Sequence, residues 1–416
     1  MITMRTTADP FALSPALLTA APHRLLFFVG ASNVLLAMAW WTLWLIDARW
    51  HVIGLPQAPV WAGWMHAIVM QYQVLAPFMF GFLLTVFPRW MGLPELIRWH
   101  YVPVGLGLLG GQLSVLGGLA TGHAAMLHVG VLMTFAGWSY GLFHLWRLLW
   151  QERRLRRGPT WHALSCAAAL TFGWAGLLLV VRYLHGMDPR HMFLAIKLGS
   201  FGLLLPVYFT VAHRMFPFFA ANVVAGYKPW RPLWALVAFW GLALTHLAFE
   251  LAHAYTWLWL ADLPLLALTL VLLWRWWPRG RAPGLLWVLF AGFAWLPLAM
   301  ALYAAQSALY ALTGEFLLGR APAHALFVGF FGSLLVAMVT RVTQGHSGQM
   351  LVMPKVGWFA FATIQLVALL RIFAEVLPDA PAWQAVAALG WLCAFAPWVL
   401  RSAAIYLRPR ADGKPG

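Results

Sequence analysis

Charged residues are scarce in this chain. Only 9% of its 416 residues are Asp, Glu, Lys or Arg, whereas soluble domains carry about a quarter. Hydrophobic residues make up 63% of the sequence, and tryptophan, which favours the two interfaces of a membrane, occurs 27 times. This composition excludes an ordinary soluble domain and predicts a membrane protein that crosses the bilayer several times.

Cysteine is also rare. The two copies, Cys166 and Cys393, both lie inside apolar runs, which argues against a structural disulfide. The sequence has no C-x-x-C-H motif, so covalent attachment of haem is excluded and any haem would be bound non-covalently. It also lacks a P-loop, a dinucleotide-binding fingerprint and an H-E-x-x-H motif.

Long apolar runs, by contrast, recur along the chain. A helix needs about 20 apolar residues to cross a bilayer, and twelve runs of suitable length are present. The sequence therefore predicts an all-α, polytopic transmembrane bundle over residues 24–407, between an N-terminal segment (1–23) and a C-terminal tail (408–416). Its shortest breaks, at 121–123 and 255–256, are marked only by a glycine or a short polar turn. The predicted spans are 24–46, 62–87, 102–121, 124–150, 162–183, 191–213, 231–254, 257–277, 284–311, 321–342, 355–377 and 382–407.

Positive charge is distributed unevenly between the two ends of these spans. With twelve spans, both termini and every second loop share one end, and that end holds 21 of the 27 Lys and Arg residues. Positively charged loops stay in the cytoplasm, so both termini are predicted to be cytoplasmic. The net charge of +16 is thus a topology signal that also favours anionic lipid head groups, and nucleic-acid binding is not expected.

The third run carries small residues at intervals of four. Gly107 is followed by Gly111, and Gly110 is followed by Ser114 and Gly118. Small residues at this interval let two membrane helices approach each other closely. We therefore expect this face to pack against a neighbouring helix, and we assign no chemistry to it.

Two histidines lie at similar depth on parallel spans. His66 is near the outer end of the second run, and His324 is in the first turn of the tenth. Two imidazoles in this relation could take opposite faces of one haem or share one metal ion, because neutral imidazole binds both iron and copper. The alternative is two unrelated histidines that hydrogen bond to neighbouring helices.

A second polar group lies on the seventh run. His246, Glu250 and His253 are four and three residues apart, which places them on one face of a helix. A carboxylate and imidazoles on such a face can bind a metal ion in the core of a bundle. The alternative is an ion pair between Glu250 and Lys197 of the sixth run.

At the inner end of the tenth run, Arg341 precedes the sequence Gly345-His346-Ser347-Gly348. Glycine lets a ligand approach the backbone closely, and arginine can hold a carboxylate, such as a haem propionate, through two hydrogen bonds. An ordinary helix end made of glycine and polar residues looks much the same. Arg341 and His346 are therefore candidates for cofactor binding.

Three stretches of the chain resemble the NnrS family: Gly81–Gly92, Arg214–Phe219, and His324 with Arg341–Gly348. The last stretch is the most specific, because Arg-x-x-x-Gly-His-x-Gly after a long apolar helix is rare by chance. The resemblance extends from about the first span to the eleventh.

The resemblance implies a twelve-span protein of the bacterial inner membrane that contains haem and copper. A haem in such a protein would be of the non-covalent b type. The family is associated with denitrification and with relief of nitric oxide stress, so nitric oxide is an expected ligand. The positions that match family motifs, and are therefore implied as cofactor-binding residues, are His66, His324, Arg341 and His346.

The chain departs from the family pattern just after His66. The family's second span typically opens with Trp-His-Ala-His-Glu-Met, whereas this chain has Ile68 and Val69 in place of the second histidine and the glutamate. One ligand site of the family is therefore expected to be absent or to hold a different metal. Gln349 also replaces a basic residue that is common after the Gly-His-x-Gly pattern.

The leading hypothesis is a haem protein, with copper as a second metal, that binds nitric oxide or protects metal centres from it. One alternative is a transporter or permease for a metal or a haem-related ligand, since polar groups and prolines inside spans are common in transporters. Another is an oxidoreductase similar to the haem-copper oxidases, an analogy of fold alone. The sequence identifies no catalytic residue and no electron donor, and it leaves these functions open.

Overall fold

The structure, a computed structural model, describes residues 13–413. Within this range it contains helices and turns and no β-strand. A bilayer provides no partner for backbone N–H and C=O groups, and a helix satisfies these groups within one segment. Twelve helices are long and apolar enough to cross a membrane and contact its lipid. The predicted all-α polytopic bundle is therefore confirmed for the described residues.

The twelve helices are named α1 to α12 in chain order, and each corresponds to one predicted span. The break predicted at 121–123 is present at Gly122, which follows α3 with φ of 76°. The break predicted at 255–256 lies slightly earlier, at 252–254, where His253 has φ of 53° between α7 and α8. The helices are Pro22–Trp50, Ala62–Met91, Arg98–Thr121, Ala124–Arg154, Trp161–Gly186, Pro189–Val223, Leu233–Leu251, Tyr255–Trp276, Gly284–Thr313, Ala321–His346, Lys355–Phe373 and Ala380–Tyr406.

The end of α6 differs most from its prediction. The sequence predicts an end near residue 213, where His213 and Arg214 interrupt the apolar run, but the helix continues to Val223. Nε2 of His213 donates to the Pro232 carbonyl at 3.1 Å, and the Arg214 guanidinium lies 4.2 Å from the centre of the Trp90 ring. Because both polar groups find partners inside the protein, the helix does not have to end there.

Both ends of the described chain lie at the same end of the bundle, where the Ser14 N–H donates to the Leu407 carbonyl at 2.8 Å. We call this the inner end, because the charge distribution predicts that it faces the cytoplasm, and we call the opposite end the outer end. The cytoplasmic orientation stays a prediction. Residues 1–12 and 414–416, which belong to the predicted terminal segments, lie outside the described residues.

Three helices, α2, α6 and α10, share a feature that has no counterpart in the sequence. Each contains a wide turn, in which backbone hydrogen bonds join residue i to residue i+5. The wide turns are Met70–Val74, Leu198–Leu204 and Ala325–Gly332. α2 and α10 are also the most buried helices, with 89% and 78% of their apolar windows inside the protein. Wide turns of this kind occur frequently at functional sites. The region where α2, α6 and α10 carry these turns is therefore a candidate functional site.

The small residues of α3 pack against α4, as predicted. A Cβ atom added to Gly107 would lie 2.7 Å from Gly137 Cα and 2.8 Å from the Met133 carbonyl oxygen. Both are backbone atoms, so a change of rotamer cannot make room for the added carbon. Glycine at position 107 therefore sets how closely α3 and α4 approach.

Gly107→Ala is expected to destabilise the protein by about 1–3 kcal/mol, the usual cost of overpacking. Unfolding of the detergent-solubilised protein would measure the change. Gly241→Ala is the matched control, because Gly241 is exposed on α7 and an added Cβ would have no atom within 4 Å. The control should keep or raise stability, since alanine favours helix. An equal loss in both variants would contradict the packing role of Gly107.

Candidate functional site

A cavity of about 420 Å³ lies towards the outer end of the bundle, enclosed mainly by α1, α2, α6, α10, α11 and α12. Its walls are mostly apolar and aromatic, with a few polar groups, as is usual for pockets that bind small molecules. All three wide turns contribute to the wall, through Gln71, Ser200, Phe327 and neighbouring residues. The cavity is therefore the place where the irregular segments of the three helices meet.

His66 lies on α2, one turn before the wide turn, and lines this cavity. Its ring stacks on Trp41 of α1, with centroids 4.2 Å apart and an angle of 11° between the planes. Neither of its ring nitrogens has a hydrogen-bond partner among residues 13–413. Neutral histidine carries one nitrogen lone pair in either tautomer, so the lone pair of His66 is not engaged by the protein.

His324 lies on α10, directly before the wide turn, and lines the same cavity. Its Nδ1 is 2.9 Å from the backbone carbonyl oxygen of Arg320. Because a carbonyl oxygen can only accept, Nδ1 donates, and Nε2 of the neutral ring keeps its lone pair. Metal-binding histidines are commonly oriented by such a bond from their other nitrogen.

Two arginines also line the cavity. Arg371, in the last turn of α11, forms a salt bridge with Glu375, which lies just beyond the end of that helix. Arg320 lies near the outer rim, with its guanidinium 5.6 Å from the centre of the Trp61 ring. Between residues 13 and 413, no acidic side chain forms a salt bridge with Arg320. Its positive charge is therefore available to an anionic part of a ligand.

His246 and Glu250 of α7 belong to a buried chain of polar and charged groups. Nδ1 of His246 is 2.6 Å from Oδ1 of Asp262 on α8, and its Nε2 is 3.8 Å from Oε1 of Glu250. Oε2 of Glu250 is 2.6 Å from Nζ of Lys197 on α6, which confirms the predicted ion pair. Sequence reasoning missed Asp262, although a lone acid inside an apolar span always needs a partner.

His253, the third residue predicted to bind metal on this face, has other contacts. It is exposed beyond the end of α7, its Nδ1 is 2.7 Å from the Tyr255 hydroxyl, and its ring stacks on Phe193. His246, by contrast, is fully buried. In the described part of the chain, no group of three or more His, Cys, Asp or Glu side chains is placed to hold a metal ion. A metal ion at His246, Glu250 and His253 stays a prediction.

Arg341 and His346, the other two cofactor candidates, lie at the inner end of α10. The Arg341 guanidinium is 3.9 Å from the centre of the Phe219 ring. The His346 ring packs on His23 of α1, with centroids 4.2 Å apart. Neither residue lines the outer cavity. The structure therefore separates these two candidates from the pair formed by His66 and His324.

Sequence reasoning missed the contributions of α1. Trp41 supports His66, and His23, which is only 6% exposed, packs against His346. An aromatic residue or a histidine in an apolar run has no spacing that reveals its partner on another helix. Only the packing of α1 in the bundle brings these residues together.

The cavity combines two imidazoles, walls of tryptophan and the Arg320 guanidinium. Among residues 13–413, neither imidazole lone pair has a partner and no acidic side chain forms a salt bridge with Arg320. The tryptophans are Trp41, Trp61, Trp64 and Trp391. Imidazole suits iron and copper, aromatic walls suit a flat apolar group, and a guanidinium suits a carboxylate. The arrangement therefore fits a flat ligand that carries a metal ion and an anionic edge.

The sequence profile of the NnrS protein family matches residues 17–410. Among curated proteins, no match was found. The matched range includes all twelve helices and both histidines of the outer cavity. It confirms the resemblance indicated by the motifs in α2, α6 and α10. Because the match covers nearly the whole sequence, the chain belongs to the NnrS family.

Proposed function

We propose that this protein is a haem protein of the bacterial inner membrane that binds nitric oxide, with His66 and His324 as ligands of one non-covalent b-type haem. Membership of the NnrS family supports a function related to nitric oxide. The observation that carries the haem proposal is that the two histidines line one cavity, each with a lone pair that no residue between 13 and 413 engages.

The residues of the cavity match the parts of a haem. Histidine is a common ligand of haem iron, and the Arg320 carbonyl orients His324 for that role. The tryptophan walls would shield the porphyrin from water, and Arg320 would pair with a propionate. When bound, the haem would supply an iron atom that can take up a diatomic gas.

An absorption spectrum of the protein purified in detergent tests the proposal. We expect a Soret band, haem that acidified organic solvent extracts because no covalent bond holds it, and a shift of the band when nitric oxide is added. Protein that shows no Soret band after expression with ample haem would contradict haem binding. A Soret band that nitric oxide leaves unchanged would contradict gas binding but would still support haem binding.

Copper, the other metal that the family implies, has weaker support in this chain. Ile68 and Val69, which replace a histidine and a glutamate of the family pattern, are 2% and 1% exposed and do not line the cavity. The part of the chain between residues 13 and 413 also holds no group of three candidate ligands. We therefore propose haem as the only cofactor. A copper analysis of the same preparation would test whether copper is also bound.

A transporter for a metal or a haem-related ligand is the second candidate. It is favoured by Lys197 and Glu250, which lie within spans and line the cavity, because charged groups in such positions often mark ligand or ion pathways. Substrate-dependent flux in proteoliposomes would support it, whereas a haem that remains bound to every chain would disfavour it. The oxidase-like alternative needs a further metal centre, for which residues 13–413 provide no three-ligand group.

A further inference from the structure

A second, smaller space lies between four helices of the bundle. This crevice measures about 70 Å³ and is lined by α1, α2, α6 and α10, through Phe27, Phe78, Val207, Val211, Leu334 and Met338 among others. Most of the lining side chains are buried, whereas Tyr208, Val211 and Met338 are half-buried, so the crevice reaches into the bundle from a partly open side. Neither the sequence motifs nor the haem proposal accounts for it.

The crevice lies next to the outer cavity along the same helices. In α2, Leu75 lines the cavity and Phe78, one turn later, lines the crevice. In α10, Gly332 lines the cavity and Leu334 lines the crevice. Each pair lies at or just after the inner end of a wide turn. The crevice therefore follows the outer cavity towards the inner end, directly after the level at which α2 and α10 are irregular.

Aromatic rings of α6 and α10 pack against each other beside the crevice. The ring of Tyr208, which lines the crevice, is 4.7 Å from that of Phe331 and 6.1 Å from that of Phe330. Phe330 and Phe331 are fully buried, so passage of a small molecule beside them would require a displacement of these rings. A larger ligand would need the helices themselves to separate.

The chemistry of the crevice excludes polar occupants. Of the residues that line it, only Tyr208 has a polar side-chain atom. An ion or a hydrogen-bonding molecule would lose its partners in water and gain almost none, at a cost of several kcal/mol. Apolar cavities of this kind stay dry and bind apolar guests such as xenon. Since roughly 10–15 Å³ on this measure holds one water-sized molecule, the crevice has room for a diatomic gas.

We propose that the crevice is a holding site for a small, neutral, apolar gas that exchanges with the outer cavity. The identification of that gas as nitric oxide rests on the proposed function. A gas that dissolves in the bilayer would collect in the crevice because no polar group has to be desolvated there. The gas concentration in the crevice, one helical turn from the outer cavity, would then be higher than in water. This higher concentration would speed binding of the gas in the outer cavity.

Xenon tests the holding site without depending on haem. In crystals of the full chain exposed to xenon, we expect anomalous density in the crevice of the wild type and none in Val211→Phe, whose larger ring would fill the space. Val211 is half-buried in the crevice wall, whereas the matched position Val237 is 71% exposed on α7, so Val237→Phe should keep the xenon. A crevice without xenon, or one filled by a lipid acyl chain, would overturn the proposal.

Gas-binding kinetics test whether the crevice serves the outer cavity. After flash photolysis of the nitric oxide complex, we expect Val211→Phe to rebind the gas from solution several-fold more slowly than the wild type, with an unchanged Soret band, and Val237→Phe to rebind at the wild-type rate. Equal rates in all three proteins would refute the role of the crevice. A wild type without a Soret band would instead refute the proposed function, and the xenon experiment would still decide whether the crevice holds a gas. If Val211→Phe does not fold, xenon binding to the wild-type protein still tests whether the crevice holds a gas.

Discussion

His324→Ala is expected to remove the haem absorption band from protein purified like the wild type, and His66→Ala is expected to remove or strongly weaken it. Both substitutions delete an imidazole whose lone pair has no partner in the described part of the chain. Loss of a residue that only orients a metal ligand lowers metal affinity about 10–100-fold, so loss of the ligand itself should cost more. The ratio of Soret to protein absorbance after gel filtration would measure haem occupancy.

His185→Ala is the control for these two variants. His185 is exposed, stacks on His128 and does not line the cavity, so its removal should leave haem occupancy unchanged. Free imidazole should restore the band in His324→Ala, because it can enter the space that the side chain vacates. A band of wild-type intensity in both His66→Ala and His324→Ala would place any haem elsewhere in the protein.

Lys197→Met is expected to destabilise the protein by about 3–5 kcal/mol, because it would leave a buried carboxylate without its cationic partner. Glu250 has a side chain that is 5% exposed, and Lys197 Nζ lies 2.6 Å from it. His246 lies further away, at 3.8 Å, and its shorter contact is with Asp262. Unfolding of the detergent-solubilised variant, followed by circular dichroism, would measure the loss.

Two further variants distinguish the loss of this ion pair from the general effect of removing a charge on stability. Combining Lys197→Met with Glu250→Gln should recover most of the stability, because no unpaired charge remains. Arg89→Met removes a pair with Glu95 in which the side chains are 53% and 74% exposed, and exposed pairs contribute little. Wild-type stability in Lys197→Met would show that Glu250 does not depend on Lys197.

The positions of the helices could be predicted because each one must satisfy a local requirement of length and apolarity. Even the break at Gly122 carried its own signal, a glycine between two apolar runs. The end of α6 could not be predicted, because the partners of His213 and Arg214 are Pro232 and Trp90, which lie elsewhere in the chain. Polar groups end a helix in a membrane only when the fold leaves them without partners.

For the candidate site, the sequence predicted only the depth of each residue in the membrane. The direction of each span placed His66 and His324 at similar depth, and the structure brings both to one cavity. Depth also places Arg341 and His346 at the opposite end of the helix that carries His324, and they belong to a different region. Depth says nothing about lateral position. The contacts of His246 with Asp262 and of His66 with Trp41 likewise cross between helices.

By itself the sequence determined that this protein is a membrane bundle, how many times it crosses the bilayer, which end carries the positive charge and which family it resembles. These properties depend on composition, length and motifs, which are local to each segment. Only the tertiary structure decided which helices enclose the cavity, where wide turns interrupt them and which polar groups pair. The physical reason is that surfaces facing lipid and surfaces facing protein are both apolar, so helix contacts in a membrane depend on shape and on a few polar partners that hydrophobicity does not encode.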